Sequence, residues 1–234
     1  MKVNPVAPIY RSNSTWQQPV PASASATRAE LIDAVARRCA QLTDGRCRIA
    51  VDGRTASGKT SLAEELAVAI AESGRPVLRA TLDDFKRPWR DRHLYDRESG
   101  EGYYRNAFDY SKLREILIDP FGAGAPCALC SIDPATQIDH SQELVTPPGD
   151  AVLLVDGVFA FRRELKCCWD FRIWLEVKPE VSVSRGHTRD GGDISIVRDR
   201  YQISEDIYIA EEAPAEQAEV VVDNSDFSKP RVIV

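Results

Sequence analysis

Residues 53–60 read Gly-Arg-Thr-Ala-Ser-Gly-Lys-Thr, which has the spacing GxxxxGK[ST]. The two glycines let the backbone fold tightly, so that consecutive N–H groups point at phosphate oxygens. Lys59 places a compact charge near the β and γ phosphates, and the Thr60 hydroxyl suits Mg²⁺. The loop is therefore predicted to bind a nucleoside triphosphate. The residues predicted to hold it are Gly53, Thr55, Ala56, Ser57, Gly58, Lys59, Thr60 and Ser61.

Carboxylates at the ends of two predicted strands suit the same chemistry. Asp83 and Asp84 follow the strand 76–82, and Asp156 follows the apolar run 151–155. A hydroxyl nucleophile needs a base near its proton and in line with the γ phosphate, a role that favours Asp83. Asp156 is placed to orient Mg²⁺ or its water shell. The alternatives are turn or helix-capping roles for the pair and a simple Asp-Gly turn at Asp156.

Arginines recur late in the chain, at Arg185, Arg189, Arg198 and Arg200. A mobile segment of this kind can close over phosphates, exclude water and offset developing negative charge. We therefore predict a lid over about 185–202, in which Arg185 and Arg189 are catalytic. For Arg198 and Arg200 two alternatives remain open: the same role in the lid, or a position on a solvated helix face.

These groups need a frame that brings them together, and the strand pattern supplies one. From residue 46 to residue 82 a strand, the glycine loop, an amphipathic helix and a second strand follow each other, which is a βαβ unit. Further strands are predicted at 151–155, 171–177 and 219–223, with a hairpin within 127–145. The predicted fold class is α/β: a P-loop NTPase three-layer fold with a mostly parallel sheet, a small inserted substrate lobe and a helical lid.

The domain plan is simple. Residues 1–26 are rich in Pro, Ser and Ala and lack the apolar run of a signal peptide, so we expect a flexible N-terminal arm. A capping pattern at Thr27 begins the first helix and the P-loop domain over 27–234. The substrate lobe is expected in the segments 84–108 and 126–148.

Composition excludes several classes of protein. Hydrophobic residues make up 43% and charged residues 28%, with a formal net charge of -6, which makes a nucleic-acid or membrane-surface binder a poor candidate. No apolar run reaches the roughly 18 residues of a membrane span, and we expect a cytoplasmic protein. The six cysteines fit reduced thiols. Cys127 and Cys130 form a CxxC without the further ligands usual for zinc, so ordinary thiols are favoured over a metal or redox site.

Several segments, in the same order, resemble the uridine kinase and phosphoribulokinase family of P-loop small-molecule kinases. They are VDGRTASGKTSLAEELA, TLDDFKRP, NAFDYSKLREIL, VLLVDGVFAF, WDFRIWLEV, SRGHTRD and VVVDNSD. The resemblance implies an ATP- and Mg²⁺-dependent kinase for a hydroxyl, typically the ribose 5′-hydroxyl of uridine or cytidine. By position it implies a catalytic Asp83, a metal-directed Asp156 and lid arginines at Arg185 and Arg189.

The chain departs from that family where the acceptor binds. An aspartate and a histidine that help to hold the nucleoside correspond here to Tyr103 and Tyr104, so uridine does not follow from the resemblance. Tyr104 and Arg105 could instead serve a phosphorylated or acidic substrate, or lie on the surface. The predicted acceptor-site residues are Asp83, Arg87, Tyr103, Tyr104 and Arg105.

Together these features predict an ATP:alcohol phosphotransferase whose acceptor is a nucleoside or a related small metabolite. Asp83 is the expected base, and Lys59, Arg185 and Arg189 are the expected charge stabilisers; ATP and Mg²⁺ are the expected cofactors. The expected partner is the acceptor alone, without nucleic acid or membrane, and a homo-oligomer is left open. Two alternatives remain: a nucleotide-binding regulatory protein that has lost catalysis, and a kinase for a non-nucleoside acceptor.

Overall fold

The computed structural model describes residues 6–15, 25–191, 195 and 197–233. A seven-stranded sheet lies at the centre of the molecule. The strands are β1 (Ile9–Arg11), β2 (Cys47–Gly53), β3 (Val77–Thr81), β6 (Val152–Asp156), β7 (Phe171–Glu176), β8 (Val220–Asp223) and β9 (Arg231–Val232), and a separate hairpin holds β4 (Cys127–Ala128) and β5 (Leu144–Val145). The order across the sheet is β1-β3-β6-β2-β7-β8-β9. All neighbours are parallel except β8 and β9. Strand β2, which leads into the glycine loop, is therefore central.

Helices cover both faces of this sheet. They are α1 (Ala26–Ala40), α2 (Lys59–Glu72), α3 (Gly100–Asn106), α4 (Tyr110–Leu113), α5 (Asp119–Ala123), α6 (Pro179–Asp190), α7 (Ile203–Glu212) and α8 (Pro214–Gln217). Shorter turns are the 3₁₀ segments Leu82–Phe85, Trp89–Leu94 and Arg163–Leu165 and the π-helical segments Arg114–Ile118 and Val197–Gln202. Each face of the sheet needs such a cover, because a parallel sheet buries both of its sides.

Two apolar layers form the core, one on each side of the sheet. On one side Leu62, Leu66 and Ile70, spaced one helical turn apart in α2, pack with apolar residues of α1 and the strands. On the other side the aromatic rings of α3 and α7 pack around Phe159. The helix–sheet–helix layering confirms the predicted three-layer α/β fold.

The strands predicted from the sequence are present, with ends shifted by one or two residues. The 127–145 hairpin is also confirmed, as two residue pairs between β4 and β5. Helix α1 begins at Ala26 rather than at Thr27, because the Ser25 side chain accepts the Arg28 N–H and caps it.

The N-terminal segment corrects one expectation. A flexible arm was expected over 1–26, yet Ile9–Arg11 forms β1 and pairs in parallel with β3. The next residues are tied to the substrate lobe, since the Ser12 and Ser14 hydroxyls donate to the Asp84 carboxylate at 3.0 and 2.7 Å. Residues 6–15 are thus part of the folded domain; the remainder of the arm up to residue 24 lies outside the described residues. Within the described ranges, no helix is both long enough and apolar enough to cross a bilayer.

Candidate active site

The glycine loop joins β2 to α2 in the conformation that its sequence predicts. Ala56 and Gly58 have φ values of 56° and 97°, in the left-handed region that disfavours most side chains. A Cβ atom on Gly58 would lie 2.6 Å from the Asn224 amide nitrogen, and one on Gly53 would lie 2.6 Å from the Leu175 carbonyl oxygen. Both glycines are therefore required by close packing as well as by backbone conformation.

Lys59 lies in the loop with its charge directed at the backbone. Its Nζ donates to the carbonyls of Gly53 at 3.1 Å and Arg54 at 2.8 Å. Burial lowers the pKa of Lys59, an effect opposed by surrounding carboxylates, of which Asp52 acts most strongly. A buried ammonium held by neutral carbonyls is suited to exchange them for phosphate oxygens.

Thr60 and Asp156 meet as the sequence predicted. The Thr60 hydroxyl donates to Asp156 Oδ2 at 2.7 Å, and Arg79 donates to the other carboxylate oxygen at 2.7 Å. Asp156 stands opposite Val51 of β2, which brings the end of β6 beside the loop. A hydroxyl and a carboxylate side by side are hard oxygen ligands, so this pair fits Mg²⁺. Ser57 adds a buried hydroxyl that has no hydrogen-bond partner among the described residues.

The carboxylates after β3 divide into one buried and one partly exposed group. Asp84 is 2% exposed, and its carboxylate accepts hydrogen bonds from the Ser12 and Ser14 hydroxyls. Burial raises the pKa of Asp84 to about 7. Asp83 is partly exposed, and its Oδ1 lies 2.6 Å from Lys86 Nζ. Asp84 is thus a structural group, and Asp83 is the member of the pair that a substrate can reach.

The four other predicted acceptor residues separate into two sets. Tyr103 packs its ring edge-on against Phe108 at 6.1 Å, and its pKa is raised to about 12 by burial, with Lys86 and Asp83 among the charges that act on it. Arg87 places its guanidinium 4.5 Å from the centre of the Tyr95 ring. Both belong to the segment 84–108, and their contact with an acceptor stays a prediction.

Tyr104 and Arg105 do not face the acceptor, which corrects the prediction. Tyr104 is fully buried in the core, 5.2 Å from the Phe159 ring. Arg105 donates twice to the Glu211 carboxylate, at 2.9 and 2.5 Å, and fastens α3 to α7. Neighbouring residues on a helix point in different directions, so Tyr103, Tyr104 and Arg105 of α3 lie in different surroundings.

The predicted lid begins in α6. Arg185 donates to the carbonyls of Asn224 at 3.0 Å and Ser225 at 2.8 Å, and burial lowers its pKa. Asn224 in turn donates to the Ser57 carbonyl at 2.6 Å, so Arg185 supports the loop after β8 that touches the glycine loop. Arg189 lies exposed in the last turn of α6. Direct contact of either arginine with phosphate stays a prediction.

The remaining lid arginines differ from each other. Arg198 is exposed and pairs with its neighbour Asp199 at 3.2 Å, which matches a solvated face. Arg200 instead places its guanidinium 4.8 Å from the centre of the Tyr103 ring. Residues 192–194 and 196, which belong to the predicted lid, lie outside the described residues.

Two groups at the loop were missed by sequence reasoning. Asp52, directly before Gly53, is fully buried and accepts from the Tyr208 hydroxyl at 2.6 Å. Its position next to the motif was a signal that could have been used. Glu205 of α7 accepts the Thr55 N–H at 2.5 Å and lies 3.4 Å from Arg54. No local pattern reveals that contact, which joins residues 150 positions apart.

The thiols of the CxxC pattern, Cys127 and Cys130, lie in strand β4 and just after it. Both are free and buried, and burial raises the pKa of Cys127 to about 11, which disfavours the thiolate that binds metals. Cys130 lies 3.8 Å from the Asp84 carbonyl. Among the described residues no cluster of three or more metal-binding side chains occurs. The preference for ordinary thiols at Cys127 and Cys130 stays a prediction.

Solved structures share this architecture. A protein from Bacillus stearothermophilus designated a possible uridine kinase is 27% identical, with a TM-score of 0.68 over 82% of this chain and 97% of its own. A protein from Silicibacter sp. TM1040 designated a fructose transport system kinase is 22% identical, with a TM-score of 0.65 over 79% and 94% of the two chains. No protein-family model and no curated protein matches the chain. In its sheet and over most of its length the chain is thus similar to solved structures of P-loop kinases.

Proposed function

We propose that the protein transfers the γ-phosphoryl group of ATP to a hydroxyl of a small metabolite, a nucleoside or a related compound. One observation carries the proposal: Thr60, Asp156 and Asp83 lie at the carboxyl ends of β2, β6 and β3 or just beyond them. Ligands of open α/β sheets bind at this edge. The proposed donor site and the proposed base thus lie at the same edge of the sheet.

Each residue has a distinct task in this proposal. The loop N–H groups and Lys59 bind the phosphates, and Thr60 and Asp156 are the protein ligands of Mg²⁺, which would shield the phosphate charge when bound. Asp83 takes the proton of the acceptor hydroxyl. The freed oxygen forms a bond to the γ phosphorus while the bond to the bridging oxygen of ADP breaks. Lys59 offsets the charge that develops on that leaving oxygen.

The Asp83–Lys86 contact supports the base assignment. Lys86 Nζ, 2.6 Å from Asp83 Oδ1, orients the carboxylate at the carboxyl end of β3. The same contact must loosen as the acceptor enters, because Lys86 and the acceptor hydroxyl compete for the carboxylate. A lysine that stays near can then stabilise the negative charge of the phosphoryl group during its transfer.

The test is acceptor-stimulated ADP formation with a panel of nucleosides, sugars and vitamins. For the most active acceptor, Asp83→Asn is expected to lower kcat by about 100-fold or more while the Kd for MgADP stays unchanged. Asp91→Asn is the matched control, since Asp91 is a partly exposed aspartate of the same lobe. Turnover of Asp83→Asn at the wild-type rate would remove Asp83 from the role. Tight ATP binding with no response to any acceptor would favour the regulatory alternative.

A further inference from the structure

A buried arginine of the predicted substrate lobe forms no ion pair within 4 Å among the described residues. Arg97 is 8% exposed, and its Nη1 donates to the Arg87 carbonyl at 3.0 Å. Its Nε is buried without a hydrogen-bond partner, and no carboxylate of the described residues forms an ion pair with it. A buried charge without a partner is costly, so an unpaired guanidinium calls for an explanation.

The loop that carries Arg97 is held rigidly. Asp96 Oδ1 accepts the N–H groups of Glu98 at 3.1 Å and Ser99 at 3.3 Å, while Oδ2 accepts the Ser99 hydroxyl at 2.5 Å. Gly102 of α3 packs so closely that a Cβ there would lie 2.5 Å from the Asp96 carboxylate. The backbone on both sides of Arg97 is therefore held in place.

A second arginine reinforces the positive charge. Arg200 also has a buried Nε without a hydrogen-bond partner in the described part of the chain. Its ion pair with Glu98 spans 3.8 Å, and the Glu98 side chain is 87% exposed. Burial lowers the pKa of Arg97, and the charge of Arg200 lowers it further, which is the effect of like charges held close together. The two guanidinium groups thus lie close together, and the nearby negative charges are the carboxylates of Glu98 and Asp96, which lie towards solvent.

This region adjoins the predicted base through continuous contacts. Arg200 lies over Tyr103, at 4.8 Å from the ring centre, and the Tyr103 and Phe108 rings are 6.1 Å apart. Lys86 Nζ is 5.7 Å from the centre of the Phe108 ring and 2.6 Å from Asp83. Tyr103 thus lies between Arg200 and Asp83, and the charges of both groups act on its hydroxyl.

We propose that Arg97 and Arg200 bind an anionic group of the acceptor, a phosphate monoester or a carboxylate, and so select charged acceptors over neutral ones. The arginine fork matches the oxygens of either group. The inference rests on the proposed function, because it assigns the site that holds the acceptor while Asp83 accepts its proton. Neutral nucleosides are then poor acceptors.

The experiment compares acceptors that differ only in charge. ADP formation is measured with ribose against ribose 5-phosphate and with glycerol against glycerate, so that the phosphate and carboxylate sources are separated. We expect kcat/KM to be at least about 10-fold higher for the anionic member of one pair. A preference for the neutral member, or equal values, would overturn the inference and leave the kinase proposal intact.

Variants locate the selectivity. Arg97→Gln is expected to raise KM for the anionic acceptor by about 10- to 100-fold with the ATP KM unchanged, and Arg97→Lys to restore part of the loss. Arg90→Gln is the control, an arginine of the same lobe whose side chain is 78% exposed. An unchanged acceptor KM in a folded Arg97→Gln protein would refute the assignment.

A binding measurement keeps the inference separate from catalysis. With the glycine loop saturated by MgADP, inorganic phosphate and acetate are titrated while the melting temperature is followed. A rise in wild type and Arg90→Gln that disappears in Arg97→Gln supports the anion site even if no acceptor in the panel is phosphorylated. The same rise in all three proteins, or none in wild type, counts against it. Failure of the kinase proposal and failure of the anion site thus give different results.

Discussion

The buried carboxylate before the glycine loop allows one prediction in quantitative form. Asp52 accepts from the Tyr208 hydroxyl at 2.6 Å, from the Gly53 N–H at 2.6 Å and from the Phe161 N–H at 3.2 Å. Burial raises its pKa to about 6, and these donors together with the charge of Lys59 limit the rise. The change we consider is Tyr208→Phe, which removes the hydroxyl and leaves the ring in the core.

The sign of the pH dependence follows from the difference between the pKa of Asp52 in the folded and in the unfolded protein. The pKa of folded Asp52 lies above the ordinary value of 3.8, so the stability that its bound proton provides is present below pH 3.8 and lost as the pH rises through about 6. Loss of the Tyr208 donor destabilises the carboxylate and moves this pKa higher still. The variant is therefore penalised most where wild-type Asp52 is ionised.

The expected magnitude comes from the type of bond that is lost. A hydrogen bond to a charged group contributes about 2 kcal/mol, and one to a neutral group about 1 kcal/mol. The loss in free energy of unfolding should therefore be about 2 kcal/mol at pH 8 and about half of that at pH 5, where Asp52 is mostly protonated. Urea denaturation at the two pH values measures both.

This prediction has a matched control and a result that would contradict it. Tyr10→Phe removes a hydroxyl that makes no hydrogen bond with the described residues, and its effect should be small at both pH values. An equal cost of Tyr208→Phe at pH 5 and pH 8, or a larger cost at pH 5, would show that Tyr208 does not stabilise an ionised Asp52.

Three further predictions concern the loop and the strand ends. Gly58→Ala should weaken MgATP binding by about 100-fold, because its Cβ would lie 2.6 Å from the Asn224 amide at a φ of 97°; wild-type affinity by calorimetric titration would contradict this. Thr60→Ala should raise by about 10-fold the Mg²⁺ concentration that gives half-maximal ADP formation, since Asp156 is left as the other ligand; an unchanged Mg²⁺ dependence speaks against the pair. Burial raises the pKa of Asp84 to about 7, so the stability that its bound proton gives wild type is present at pH 5 and lost by pH 8. The free energy of unfolding of Asp84→Asn, relative to wild type, should therefore be about 2 kcal/mol higher at pH 8 than at pH 5. An equal difference at the two pH values would refute this.

The donor half of the site was accessible from the sequence because its signals are local or follow from sheet topology. The glycine loop is one continuous motif, and its backbone takes the expected conformation. Thr60 and Asp156 lie 96 residues apart but meet because β2 and β6 are parallel neighbours whose carboxyl ends share an edge. Runs of buried apolar residues locate such strands, so the meeting point could be predicted.

The acceptor half was harder because side-chain direction decides it. Helix α3 has only seven residues, too few to establish a helical period, so Tyr103 and Tyr104 look equivalent in the sequence. Arg97 and Arg105 look alike as well. Arg97 is buried without an ion pair among the described residues, whereas Arg105 is paired with Glu211, a residue distant in the chain. Packing, not pattern, assigns these roles.

Strand β1 has a consequence for how the protein must be handled. It covers the outer edge of β3, whose backbone would otherwise offer unpaired N–H and C=O groups to a strand of another molecule. Shortening the chain to begin at residue 25 would uncover that edge, and we expect such a protein to self-associate in a concentration-dependent way. The first residues thus shield the sheet from intermolecular pairing, and light scattering of the shortened chain would reveal their loss.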